Sequence, residues 1–89
     1  MIKIIDLYAE WCGPCKVIAP IVEKVGQELG IEVETVNVDH DAMATVSKYN
    51  IKSVPVVIIE KDGIEVDRIT GVASRFEEVL KEKIEAATK

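Results

Sequence analysis

Several residue types that mark particular protein classes are scarce in this chain of 89 residues. It contains two cysteines, one histidine, one Trp, two Tyr and one Phe. A disulfide-rich secreted scaffold and a four-ligand zinc site both need more cysteine and histidine than this. Basic residues are also few, 11 against 16 acidic ones, which leaves a net charge of −5. Because phosphate binding requires clustered Lys and Arg, this charge argues against nucleic acid and acidic membrane surfaces as partners.

Long apolar runs are missing as well. No stretch of the sequence reaches the ~18 consecutive apolar residues that a bilayer-spanning helix requires. The first residues are a poor secretory signal, because they carry one lysine and because Asp6 interrupts their apolar run. We therefore expect a cytoplasmic protein without a membrane partner.

The rest of the composition is typical of one small globular domain. Hydrophobic residues make up 48% of the chain and charged residues 30%, which excludes a disordered chain. We expect residues 1–89 to form a single domain that buries a little over ~60% of the surface of the unfolded chain.

Apolar spacing and turn residues divide the chain into strands and helices. The strands are predicted at residues 2–8, 31–38, 54–60 and 64–70. Two helices are predicted at residues 13–29 and 41–49, and a third is expected to open with a capping box formed by Ser74 and Glu77.

The order of these elements, β-α-β-α-β-β-α, predicts an α/β fold. The first β-α-β unit is expected to be parallel, with a right-handed crossover. The turn Lys61-Asp62-Gly63 predicts an antiparallel hairpin between the last two strands. The result is a mixed four-stranded sheet flanked by three helices, with helices on both faces.

Cys12 and Cys15 lie where the first predicted strand gives way to the first helix. Positions three apart share one helix face with Cβ atoms ~5–6 Å apart, which is compatible with a disulfide. Cys12 falls at the helix start, where free N–H groups and the positive end of the helix dipole stabilise a thiolate. We interpret the pair as a dithiol for disulfide exchange. An exposed Cys12 attacks a substrate disulfide, and Cys15, one turn deeper, resolves the mixed disulfide.

Other interpretations of the cysteine pair stay open at this point. A Cys-x-x-Cys pair on its own is more often half of a metal site, or a coincidence on a surface, than a redox centre. The same two cysteines in two copies of the chain would supply four thiolates, enough for a metal ion or an iron–sulfur cluster across a dimer. The position of the motif between a strand and a helix favours the redox interpretation.

Asp6 is the second candidate for chemistry. It lies between Ile5 and Leu7 in a strand that is expected to be central. A buried carboxylate is costly unless it is neutral, paired or functional, so we expect its pKa to be raised. The alternative is an aspartate at a strand end that faces solvent.

The segment DLYAEWCGPCK, residues 6–16, resembles the active-site region of the thioredoxin family. The similarity extends over the whole chain, through residues 18–20, 48–51, 53–55, 62–63 and Gly71. It implies a thioredoxin-like fold in a minimal form, similar to the smaller glutaredoxin-like core, because the chain starts at what resembles the second strand of the family.

The resemblance implies a role for each residue of the site. Cys12 is then the nucleophile and Cys15 the resolving thiol of a redox-active Cys12–Cys15 disulfide, with Asp6 as the catalytic carboxylate beneath Cys15. Pro55 is a cis-proline that faces the dithiol. Substrate binds around the dithiol, at Trp11, Gly13, Pro14, Val54, Pro55 and Gly71. No metal and no organic cofactor is implied, because the cysteine pair is itself the redox group.

The sequence departs from the patterns of thioredoxins and glutaredoxins at two places. Thr35 occupies the strand position at which thioredoxins often carry a lysine close to the buried aspartate. Residues 72–74, Val-Ala-Ser, follow Gly71 where glutaredoxins typically show a glutathione site. Glutathione dependence is therefore not expected.

The function that the resemblance implies is protein disulfide reduction in electron transport and cell redox homeostasis. Electrons arrive from a reductase and leave to disulfide-containing proteins, and the chain acts as a monomer. Two alternatives remain. One is a disulfide oxidase or isomerase, and the other is a binding module of the same fold whose thiols are incidental.

Overall fold

The computed structural model describes residues 1–40 and 45–89. The strands in these residues are β1 (Ile2–Tyr8), β2 (Glu32–Asn37), β3 (Val56–Lys61) and β4 (Ile64–Thr70). The helices are α1 (Gly13–Leu29), α2 (Thr45–Tyr49) and α3 (Phe76–Ala87). Residues 41–44, the first part of the helix predicted at 41–49, lie outside the described residues.

The four strands form one mixed sheet in the order β2-β1-β3-β4. Strand β1 pairs in parallel with β2 and antiparallel with β3, and β3 pairs antiparallel with β4. The predicted α/β fold with a mixed four-stranded sheet is confirmed. Because β1 is central and leads directly into α1, the cysteine motif begins at the end of a strand that is held on both sides.

Helices cover both faces of the sheet. Helices α1 and α3 bury one face through a core that includes Ile4, Val57, Ile18 and Leu80. On the other face, Tyr49 of α2 packs with a smaller cluster of side chains from the strands: Ile5, Leu7, Val36, Val56 and Ile58. The alternation of side chains along β1 therefore places Asp6 on the face covered by α1.

Helix α1 ends at Gly30, which has a left-handed backbone with φ 66°. The N–H groups of Gly30 and Ile31 donate to the carbonyls of Gln27 and Gly26, so the exposed end of the helix is closed. Gly26 also has a packing role, because a Cβ atom there would lie 2.5 Å from Cγ2 of Val33. The close approach of α1 to β2 therefore requires glycine at this position.

The hairpin between β3 and β4 turns at Asp62 and Gly63, which both have positive φ, 55° and 84°. Two successive left-handed residues match the twist of a two-residue hairpin. The predicted hairpin is confirmed. None of the helices in the described part of the chain is long and apolar enough to cross a membrane.

The capping box predicted at the start of α3 is wrong. The helix begins at Phe76, and Arg75 occupies the cap position in a left-handed conformation without a side-chain capping bond. Ser74 therefore lies one residue outside the cap. The Glu77 carboxylate pairs with Lys24 of α1 and Lys81 of α3, at 3.2 and 3.1 Å, instead of reaching back to the helix end.

Candidate active site

The motif Cys12-Gly13-Pro14-Cys15 joins β1 to α1. The Cys12 N–H donates to the Ala9 carbonyl at 3.1 Å, which closes a turn immediately before the helix. Cys12 is the N-cap residue and has an extended backbone, φ −90° and ψ 105°. Gly13 and Pro14 follow as exposed residues of the first turn, where the missing N–H of proline leaves no hydrogen bond unmade.

Cys12 and Cys15 form a disulfide, with their Cα atoms 5.3 Å apart. The Cys12 Sγ also accepts a hydrogen bond from the backbone N–H of Cys15, at 3.2 Å. This sulfur thus lies at the N-terminus of α1, where a helix stabilises negative charge. A Cys12 thiolate formed on reduction of the disulfide would be stabilised at the same place.

The expectation that Cys12 is exposed is wrong for this oxidised state. Only 4% of Cys12 and 2% of Cys15 is accessible to solvent. Both residues belong to one small cluster with Ala9, against which Tyr8, Val38 and Val54 pack. The apolar surroundings cover the disulfide because the ends of two strands and the segment before β3 all meet beside it.

Trp11 lies beside the disulfide and is 72% exposed, as predicted. Its indole Nε1 donates to Oδ2 of Asp39 at 2.8 Å. Parallel strands β1 and β2 end at the same edge of the sheet, where the Val38 N–H donates to the Tyr8 carbonyl. This shared edge brings Asp39 to Trp11 across 28 residues of sequence.

The peptide bond between Val54 and Pro55 is cis, as the resemblance implied. The Pro55 carbonyl accepts a hydrogen bond from the Gly71 N–H at 2.9 Å. Gly71 has φ 80°, a conformation that residues with a Cβ rarely adopt. Since Val54 packs against the cysteine cluster, the structure brings Val54, Pro55 and Gly71 together on one side of the disulfide.

Asp6 is buried in the centre of the sheet, with 3% of its surface accessible. It is in register with Thr35 of β2 and Val57 of β3. Its Oδ1 has no hydrogen-bond partner among residues 1–40 and 45–89. Burial raises the pKa of Asp6 to about 6, and the negative charge of Glu23 on α1 adds to the increase. The prediction of burial is confirmed, and the pKa of Asp6 is raised in this disulfide form.

Sequence reasoning missed Tyr8, Val38 and Asp39 as residues that surround the motif. Tyr8 and Ala9 directly precede the motif, and Val38 and Asp39 directly follow β2. The predicted parallel pairing of the first two strands could have identified these residues, because it places the ends of both strands at the same edge of the sheet. Within the described ranges, no group of three or more His, Cys, Asp and Glu side chains is placed to hold a metal ion.

The arrangement matches one known family. The family model described as thioredoxin matches residues 1–86. The chain is 41% identical to a thioredoxin of Chlamydia caviae over 73 residues, which is 81% of this chain and 71% of that protein. It is 40% identical to a thioredoxin of Bacillus subtilis over 80 residues, 89% of this chain and 75% of that protein.

Solved structures are similar over nearly the whole chain. A mutant thioredoxin from Halobacterium salinarum NRC-1 superposes with a TM-score of 0.88 and 33% identity. That match covers 99% of this chain and 75% of the other. Fasciola hepatica thioredoxin gives a TM-score of 0.84 with 38% identity, over 96% of this chain and 79% of that one.

Proposed function

We propose a reducing direction for this chain, which belongs to the thioredoxin family and is a thiol–disulfide oxidoreductase with a thioredoxin-like fold. Residues 1–89 act as one domain, as a monomer in the cytoplasm. Electrons come from a reductase and pass to disulfides of other proteins, without a metal or an organic cofactor. The observation that carries the exchange activity is the position of the Cys12 Sγ at the N-terminus of α1, hydrogen-bonded to the Cys15 N–H. The reducing direction is proposed from the similarity to thioredoxins.

Reduction begins with the dithiol form of the protein. The Cys12 thiolate attacks one sulfur of the substrate disulfide, so that a mixed disulfide forms and the other substrate sulfur leaves as a thiolate. Cys15 then loses its proton and attacks the Cys12 sulfur. The Cys12–Cys15 disulfide forms and the second substrate thiolate leaves. Two electrons have then passed to the substrate, and a reductase returns two electrons to the cysteine pair.

Asp6 is the base that we assign to Cys15. A carboxyl group with a pKa of about 6 holds a proton more strongly than an ordinary surface carboxylate does. Efficient proton transfer needs a pKa near the working pH, so the buried position makes Asp6 a better acceptor. Its Oδ1 has no hydrogen-bond partner in the described part of the chain, so this oxygen is free to take a proton.

Substrate binds beside the disulfide, along Trp11, Gly13, Pro14, Val54 and Gly71 and next to Pro55, which is itself buried. Two observations support this assignment. Trp11 projects into solvent beside the buried disulfide, and it offers apolar area to a partner. Strand β3 starts at Val56, so the backbone of Val54 lies outside the sheet ladder next to the disulfide.

The reduction potential of the Cys12–Cys15 couple tests the direction. The protein is equilibrated with redox buffers of known potential, and the dithiol fraction is measured by alkylation and mass spectrometry. A reduction potential of about −270 mV supports a reductant, whereas a potential of about −120 mV indicates an oxidase and would overturn the proposal. The Cys15→Ser variant is the control, since it cannot form the intramolecular disulfide.

A further inference from the structure

The sheet face covered by α2 is apolar near the disulfide and carries a buried charged residue farther away. Next to the site it is apolar, but farther along β3 it carries the carboxylate of Glu60, which is only 6% exposed. Glu60 is in register with Lys3 of β1 and Glu65 of β4, so charged side chains surround it on both neighbouring strands. A carboxylate that is buried on a sheet requires partners, because an unpaired one costs several kcal/mol.

Tyr49, the last residue of α2, supplies one of these partners. Its hydroxyl donates to Oε2 of Glu60, and the side chain is only 7% exposed. Burial, together with the hydrogen bond to Glu60, raises the pKa of Tyr49 to about 12, so the phenol keeps its proton at neutral pH. The direction of the bond is therefore from Tyr49 to Glu60.

The backbone of the same residue is held by Arg68 of β4. The Arg68 Nη2 donates to the Tyr49 carbonyl at 2.9 Å and to Oε1 of Glu65 at 2.7 Å. Glu65 thus orients the guanidinium that binds the end of α2. The side chain and the backbone of Tyr49 are tied to two different strands of the sheet.

Tyr49 is also one end of the segment that leads to the site. Asn50 follows it with a left-handed φ of 55°, and the segment continues to the cis bond before Pro55. The other end is held by the hydrogen bond from the Gly71 N–H to the Pro55 carbonyl. Segment 50–55 is therefore held at both ends. Arg68 of β4 binds the Tyr49 carbonyl before it, and Gly71, which follows β4, binds the Pro55 carbonyl at its end.

We propose that Tyr49, Glu60 and Arg68 are positioning residues that fix segment 50–55, and with it Val54 and Pro55, for the docking of protein substrates. None of the three belongs to the cysteine cluster. A buried polar pair contributes little net stability compared with an apolar pair of similar volume, but it restricts the arrangement to one geometry. The inference rests on the proposed function, because it assumes that Val54 and Pro55 contact substrate.

Kinetics with two disulfides of different size test the proposal. Insulin represents a protein disulfide that needs the docking surface, and dithiobisnitrobenzoate represents a small disulfide that needs only the dithiol. Tyr49→Phe removes one hydroxyl and keeps the aromatic ring. We expect a roughly fivefold rise in KM for insulin, as one lost hydrogen bond allows. The rate with the small disulfide should stay unchanged.

Two further variants make the test specific. Glu60→Gln keeps an acceptor for the Tyr49 hydroxyl, so its KM for insulin should stay near the unmodified value. Lys83→Gln removes an ion pair on the opposite face of the sheet, in which the Lys83 Nζ lies 3.1 Å from Oδ1 of Asp67. This variant should lower the stability of the protein and leave the KM for insulin unchanged. Denaturant midpoints of all variants separate stability from kinetics.

Each other outcome contradicts the proposal. If Tyr49→Phe lowers the denaturant midpoint and leaves the insulin KM unchanged, the network is structural only. If the insulin and small-disulfide rates fall together, the variant acts on the dithiol and not on docking. If the unmodified protein reduces neither disulfide, the proposed function itself fails, and the positioning role fails with it.

Discussion

Asp6 lies directly opposite Thr35 in the parallel ladder between β1 and β2, and Thr35 brings no positive charge to this buried carboxyl group. The Asp6 Oδ1 has no hydrogen-bond partner in the described part of the chain. The negative charge of Glu23 acts on Asp6 from α1 and, like burial, disfavours the ionised form. The raised pKa of Asp6 should therefore make the stability of the protein depend on pH.

We expect Asp6→Asn to raise the free energy of unfolding at pH 7. The pKa of Asp6 is raised from 3.8 to about 6 in the folded protein, so the unfolded chain ionises first as the pH rises. Stability is then lost between about pH 4 and pH 6, by up to about 3 kcal/mol. Denaturant midpoints at pH 4 and pH 7 measure the difference, which should nearly vanish at pH 4. Glu82→Gln, which removes an exposed carboxylate, is the matched control.

We expect Thr35→Lys to reduce this pH dependence. A cation within ~4–6 Å of a carboxylate lowers its pKa by about 1–3 units, so Asp6 would titrate closer to its unfolded value. Carbonyl-region infrared or NMR titration of the Asp6 carboxyl follows the pKa directly. Thr35→Met, which adds a similar length without charge, should leave the pKa raised. An unchanged titration in Thr35→Lys would show that position 35 does not face Asp6.

The Asp6→Asn variant should also turn over more slowly. Cys15 would lose its proton acceptor at the step that resolves the mixed disulfide, and general base catalysis is worth at least about a hundredfold where it operates. Single-turnover reduction of insulin, followed by quenching, measures this step. A variant that is more stable but equally fast would remove Asp6 from the mechanism and leave the buried carboxyl unexplained.

The two cysteine variants should behave differently toward substrate. Cys15→Ser keeps the nucleophile and should accumulate a covalent mixed disulfide, because no thiol remains to resolve it. Cys12→Ser should accumulate none, since the Cys12 Sγ lies at the N-terminus of α1 and Cys15 lies within the helix. Non-reducing mass spectrometry of the mixture distinguishes them. The opposite pattern would exchange the roles of the two cysteines.

Gly26→Ala should destabilise the fold by about 1–3 kcal/mol. The new Cβ would lie 2.5 Å from Cγ2 of Val33 and 3.1 Å from the Ile31 carbonyl oxygen, so either the Val33 side chain or α1 must move. Thermal or denaturant unfolding measures the loss, and Val33→Ala should restore part of it in the double variant. Gly13→Ala is the control, because nothing lies within 4 Å of a Cβ at that position. An equal loss in both variants would show that the contact with Val33 is not its cause.

Much of the fold follows from local patterns in the sequence. Strands β1 and β4 and helix α1 have the predicted bounds, because continuous or alternating apolar runs and the Gly30 stop are properties of neighbouring residues. Strand β3 starts later than predicted, at Val56, since Pro55 has no N–H to donate to the ladder. The burial of Asp6 was also predictable, because apolar neighbours on both sides indicated a central strand.

The remaining features depend on residues that are distant in the sequence and close only in the folded chain. Glu77 lies 53 residues from Lys24, and this ion pair turns it away from the helix cap that the local pattern predicted. Arg68 binds the Tyr49 carbonyl across 19 residues, and Trp11 binds Asp39 across 28. Local spacing determined the helices, the strands and the Cys12–Cys15 pair. The tertiary structure alone decided which side chains surround the pair, because sheet pairing and helix packing bring together groups whose separation in sequence carries no periodic signal.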